Sequence, residues 1–111
     1  MGEGLAVVRF DVVQVDLDPT VGSEVRKSRP ALIISPDEMN SSLRTVLVAP
    51  MTSQGFSAPT RVPCRFRGKQ GFILLDQLRA VDRQRIRRSL GKIDSATGQA
   101  VLSVLREMFE V

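Results

Sequence analysis

At 111 residues the chain has the size of one domain with a single core, 1–111. A hydrophobic share of 42% against a charged share of 25% excludes a disordered tail, and no apolar run is long enough to span a membrane. The 16 basic and 12 acidic residues leave a net charge of +4 without a single histidine, which excludes Ser–His and Cys–His nucleophile pairs and histidine-based ribonuclease chemistry.

In chain order, residues 1–9 predict a loose start with no basic segment leading into an apolar one, so no signal peptide is expected. Asp11 to Leu17 alternates, with Val13, Val15 and Leu17 on one face, and predicts a half-buried strand. Asp18-Pro19 and Gly22-Ser23 open a polar loop that runs to Ser28. A second strand starts at Pro30 with the run Ala31 to Ile34, whose continuity predicts burial on both faces. Asp37 to Leu43 reads as a polar connection with one helical turn. Thr45 to Ala49 is a third strand closed by Pro50. Met51 to Pro59 is a loop, and Thr60 to Phe66 and Gly71 to Leu75 are strands joined by the turn Arg67-Gly68-Lys69. Leu78 to Val81 is a short strand.

The arginine-rich run Asp82 to Leu90 predicts a helical turn and a solvated basic face, ahead of a last short strand at Leu90 to Ile93. The final element is the clearest helix. Asp94 or Ser95 caps it, and Val101, Leu102, Leu105, Met108 and Phe109 form its packing stripe. Short strands with turn signals followed by one helix predict a mainly β fold, a small barrel-like sheet capped by a C-terminal helix. Cys64, the only cysteine, forms no internal disulfide and reads as a small core residue. With no histidine there is no Cys/His metal set, so no metal and no cofactor is expected, and a reducing cytoplasm fits.

Three places carry chemistry-bearing residues at strand ends. Glu24 and Arg29 sit in and just after the first loop, Thr52 and Ser53 follow the third strand, and Asp76-Gln77 follow the fifth. Gathered on one rim, such residues satisfy the needs of RNA cleavage: a carboxylate to take the 2′-hydroxyl proton, an arginine to neutralise phosphoryl oxygens, and a hydroxyl or amide to hold one of them. The same residues also suit plain structural roles: a Glu24–Arg29 ion pair, a Thr52 turn cap, and Asp76 accepting from backbone N–H groups. Composition and spacing by themselves point to a polyanion-binding rim.

The segment VDLDPTVGSEVRKSRPALIISP resembles the opening of the MazF/PemK/Kid toxins, commonly VDxDPTxGSExxxxRPAxVxSP. VAPMTS at 48–53, LLDQLRAVD at 74–82 and the terminal amphipathic helix follow in the same order. The resemblance implies an SH3-like barrel of the CcdB/PemK type, assembled as a homodimer. It implies a sequence-specific, metal-independent endoribonuclease of single-stranded mRNA that leaves a 2′,3′-cyclic phosphate and a 5′-hydroxyl and is neutralised by an acidic antitoxin. By position it places the catalytic roles on Glu24 as general base, Arg29 as charge stabiliser and Thr52 as phosphate holder. Ser23, Lys27, Ser53, Asp76 and Gln77 are the expected RNA-binding residues. In some members the base falls at the position of Asp76 with an arginine two residues earlier, where this chain has Leu74. Many members carry an aromatic residue at Gln14. The alternatives on the same fold are a non-catalytic gyrase-binding inhibitor like CcdB, against which the lack of tryptophan speaks, and a non-catalytic RNA-binding module.

Overall fold

The computed structural model describes residues 6–17 and 28–111, so Ser23, Glu24 and Lys27 lie outside the described residues. The elements run β1 (Asp11–Asp16), β2 (Ser28–Ile33), α1 (Asp37–Ser42), β3 (Thr45–Thr52), β4 (Arg61–Phe66), β5 (Lys69–Leu74), β6 (Arg79–Asp82), β7 (Ile86–Lys92) and α2 (Ser95–Met108). Single 3₁₀ turns occupy Leu75–Gln77 and Arg83–Arg85.

Among the described residues the strands form one antiparallel, curled sheet in the order β4-β5-β3-β2-β1-β7, with β6 also paired to β3. Its two faces carry two core clusters. Val13, Val15, Ala31, Ile33, Val46 and Val48 belong to the first, while Val12, Leu32, Ala49, Ile73 and Val101 belong to the second. The continuous run Ala31 to Ile34 is buried throughout, as its lack of alternation predicts. β1 differs from its alternating pattern. Val12 is as buried as Val13 and Val15, because β1 lies between β2 and β7 and has apolar cover on both faces.

Two strand ends also differ from expectation. Pro50 does not close the third strand: β3 continues to Thr52, with Pro50 opposite Ala31. Thr52 therefore ends the strand rather than following it. Proline lacks the ladder N–H and is usually confined to edges or irregularities. Here it sits where β3 changes partner, since Val48 is the last residue paired to β6 and Met51 the first paired to β5. The last strand starts at Ile86 rather than Leu90, so Arg87 and Arg88 are strand residues. The hairpin between β4 and β5 turns through Arg67 and Gly68, both at positive φ (54° and 79°), as a two-residue type I′ turn requires.

Asp94 caps α2 by accepting from the Thr97 backbone N–H at 3.0 Å. Val101, Val104, Leu105 and Met108 pack on the second cluster, spaced at three and four residues. Phe109, expected in that stripe, is 72% exposed, because it lies past the last helical residue. The helix is seated at Gly98, where an added Cβ would come within 2.6 Å of the Phe10 ring. Phe10 itself is held at positive φ (77°) by donating its N–H to the Ile33 carbonyl and accepting from the Ile93 N–H. Gly98→Ala sets a helix-propensity gain of about 1 kcal/mol against an overpacking cost of about 1–3 kcal/mol. The expected result is a net loss of roughly 1 kcal/mol, read as a lower urea midpoint with an unchanged m-value.

Candidate active site

The pairing of β2 with β3 sets Ala31 against Pro50 and Ile33 against Val48. Carried two residues further, the same register puts Arg29 across from Thr52. Because side chains alternate with a period of two, both lie on the same face as the Ala31–Pro50 pair. The two residues line one cavity of about 340 Å³, with Ser53 beside them. Arg29 also borders a second cavity of about 480 Å³, shared with Leu17, Gln77 and Arg79. Arg29 thus borders both cavities. Among the described residues its guanidinium makes no hydrogen bond or ion pair with the protein, which leaves five N–H donors for a ligand.

Thr52 is presented by its neighbours. Its Oγ1 accepts the Gln54 backbone N–H at 3.1 Å, which fixes the hydroxyl oxygen and leaves its O–H able to donate. β5 passes so close that a Cβ on Gly71 would overlap the Thr52 carbonyl oxygen. A lone glycine inside a strand is the sequence sign of such an approach. Gly55, at φ 112°, turns the chain beside Thr52, with its Cβ position 3.7 Å from the Thr52 methyl and 3.6 Å from Arg61.

Asp76 lines neither of these two cavities. Its Oδ1 and Oδ2 accept from Arg61 Nε and Nη2, each at 3.2 Å, and Oδ1 also accepts from the Thr60 hydroxyl at 3.3 Å. The other face of the Arg61 guanidinium lies 4.6 Å from the centroid of the Phe56 ring, which is 68% exposed. The hydrogen bonds from Arg61, above all, hold the Asp76 carboxyl below the ordinary carboxylate range. Asp76 therefore braces the 53–60 loop, while its neighbour Gln77 faces the chamber beside Arg29.

A family model described as PemK-like, MazF-like toxin of type II toxin–antitoxin system matches residues 8–109. The chain belongs to this toxin family. It is similar to endoribonuclease EndoA of Bacillus subtilis, 38% identical over 97 residues that cover 81% of this chain and 83% of that one. It is also similar to the endoribonuclease toxin MazF of Escherichia coli, 35% identical over 71 residues, 64% of each chain. The crystal structure of MazF from Deinococcus radiodurans superposes with a TM-score of 0.77 at 25% identity, covering 94% of this chain and 96% of that one.

In this PemK/MazF member the arginine run is not simply a solvated face. Arg83 donates to the Asn40 and Leu43 carbonyls, so it closes the end of α1. Arg85 donates to the Asp16 carbonyl at 3.2 Å, Arg87 pairs with the Asp16 carboxylate at 3.2 Å, and Arg79 donates to the Leu17 carbonyl at 2.7 Å. Together they grip the end of β1, where the chain enters the segment that contains Glu24. The other root of that segment is Ser28, whose hydroxyl accepts from Gln14 Nε2 at 2.8 Å. Gln14, in place of the family's frequent aromatic residue, thus ties β1 to the residue before Arg29.

Sequence reasoning singled out Arg29, Thr52, Ser53 and Gln77, and these meet around the two chambers. It passed over Gly71, Phe66, Lys69 and Gln70, which share the smaller cavity, and Arg79, which shares the larger. Of these only the isolated glycine carried a readable signal.

Gly71→Ala is expected to separate β5 from the end of β3 and to lower the urea midpoint markedly, because the obstacle is backbone and cannot rotate away. The Asp76–Arg61 pair has a pH signature. Its folded-state carboxyl titrates below the unfolded one, so its contribution is complete above the unfolded value and is lost as pH falls through the lowered folded value. For a pair this exposed the contribution is about 0–1 kcal/mol. The stability difference between the wild type and Asp76→Asn should accordingly be constant from pH 6 upward and vanish near pH 2 in denaturant titrations.

Proposed function

We propose that this family member is a cytoplasmic endoribonuclease toxin that cuts single-stranded mRNA at Arg29 and Thr52 and is neutralised by an acidic antitoxin. The observation that supports the reading is that the β2–β3 pairing, continued past Ala31 and Pro50, brings Arg29 and Thr52 to one cavity, with no partner for the guanidinium among the described residues. The family assignment and the relatives' names as endoribonucleases favour this over a gyrase-binding inhibitor.

The chemistry follows from the groups present. The ribose 2′-oxygen attacks the adjacent phosphorus, the bond from phosphorus to the 5′-oxygen breaks, and the products are a 2′,3′-cyclic phosphate and a 5′-hydroxyl. Charge gathers on the non-bridging oxygens as the phosphorus becomes five-coordinate, and Arg29 lies where it can neutralise them. The Thr52 hydroxyl donates to one of those oxygens and fixes the phosphate's orientation. Glu24 takes the 2′-hydroxyl proton. The roots of its segment are pinned at Leu17 and Ser28, the second of them next to Arg29, which supports that role. The departing 5′-oxygen receives a proton from solvent or from Arg29. Because the nucleophile belongs to the substrate, no step calls for a metal ion or cofactor. A homodimer is the assembly that fits the family.

Purified protein incubated with mixed-sequence RNA in EDTA should yield fragments with cyclic-phosphate and 5′-hydroxyl ends. Arg29→Ala should lower the cleavage rate by about 10²–10³-fold. Its stability should stay within about 0.5 kcal/mol of wild type, because the replaced side chain is exposed. An Arg29→Ala protein that cuts at the wild-type rate would remove Arg29 from the site.

A further inference from the structure

The cavity of about 340 Å³ extends well beyond the catalytic pair. Arg29 and Thr52 are enough to hold a phosphate at its mouth. Behind them the wall is apolar: Met51 belongs to the second core cluster, and Cys64 and Phe66 pack against that cluster. The rim is polar and exposed, with Ser53, Lys69 and Gln70. The volume falls at the lower end of the roughly 300–1,000 Å³ typical of small-molecule pockets. A flat apolar wall with a hydrogen-bonding rim matches a planar heterocycle, whose faces are apolar and whose edge carries donors and acceptors.

The Phe66 ring is held in place rather than loose. Gly91 of β7 comes against it, with a Cβ position 3.5 Å from the ring, and the Arg67 guanidinium lies 5.7 Å from its centroid. The chamber on the other side of Arg29 lacks such a wall. Among its described lining residues none is aromatic: besides Arg29 they are Leu17, Pro50, Gln77 and Arg79, whose guanidinium is already engaged by the Leu17 carbonyl.

We infer that the smaller cavity is a nucleobase pocket for a nucleotide bordering the scissile phosphate, with Phe66 as its stacking wall and Gln70 reading the base edge. The inference rests on the endoribonuclease reading above. The Gln70 amide offers both a donor and an acceptor, so it can meet a mixed donor–acceptor base edge, whereas Lys69, a donor only, serves acceptor edges and phosphates alike. Phe66 and Gln70 are thereby specificity residues, separate from the pair that acts on the phosphate. A side chain from a protein partner is the competing occupant.

Two measurements test this. In the first, a random-sequence RNA pool is digested by wild type, Gln70→Ala and Phe66→Leu, and the 5′ ends of the fragments are sequenced. The expected result is a base preference that relaxes at one nucleotide bordering the cut and holds at the others. On the best wild-type substrate KM should rise by roughly tenfold with little change in kcat. An unchanged preference at both bordering nucleotides would overturn the inference and leave the cavity to a protein partner.

In the second, Cys64, the chain's only thiol, reports on occupancy. Its alkylation by iodoacetamide at pH 9 is followed with and without a random single-stranded DNA, which lacks the attacking 2′-hydroxyl and cannot be cut. Protection of several-fold in wild type that weakens in Gln70→Ala supports the pocket. Alkylation at the same rate with and without DNA refutes it. Protection by a wild-type protein that cuts no RNA keeps the pocket and removes the nuclease reading, so the two failures are distinguishable.

Discussion

The site depends on one register, the antiparallel pairing of β2 with β3. A slip of one residue would turn Arg29 to the opposite face from Thr52 and exchange the two core clusters at the same time. The hydrophobic runs on both faces therefore enforce the placement of Arg29 and Thr52 as a by-product of folding. β3 carries this load because it is paired along both edges, to β2 on one side and to β6 and then β5 on the other. Pro50 falls at the exchange of partners. Gly71 lets β5 come close enough to fix the strand end on which Thr52 sits. Arg29 is exposed and Thr52 partly buried, yet their spacing is set by buried residues nearby in β2 and β3.

The basic charge has a similar division of labour. A net charge of +4 invites the view that arginines line an RNA track. Arg79, Arg83, Arg85 and Arg87 instead engage the carbonyls and carboxylate at the ends of β1 and α1. Arginine suits this work because its planar fork satisfies carbonyl groups that would otherwise lack partners where strands and helices stop. Among the described residues the charges that border a chamber without a protein partner are Arg29, which borders both, and Lys69, at the rim of the smaller one.

Much of the architecture was legible in the residues. The unbroken run Ala31 to Ile34 announced a strand buried on both faces, Asp94 announced its helix, and Arg67-Gly68 announced a tight hairpin. The GSE…RP block and the later VAPMTS block pointed to Arg29 and Thr52. The rest was not legible, for physical reasons. Whether Pro50 ends a strand depends on which partner needs its N–H, and that is a property of the sheet. β1 read as half-buried because alternation records one covered face, and the second face is covered by residues far away in the chain. Phe109 continued a helical stripe past the residue where the helix stops. The motif around Asp76 did not announce its local partners, because Arg61 and Thr60, which donate to its two oxygens, come from another strand end.

Two chambers share Arg29 as a lining residue, and this couples them thermodynamically. Arg29 carries one positive charge, so an anion seated in one chamber diminishes the attraction available in the other. The two compartments are therefore linked with negative sign, and the linkage is reciprocal: whatever the first occupant costs the second, the second costs the first.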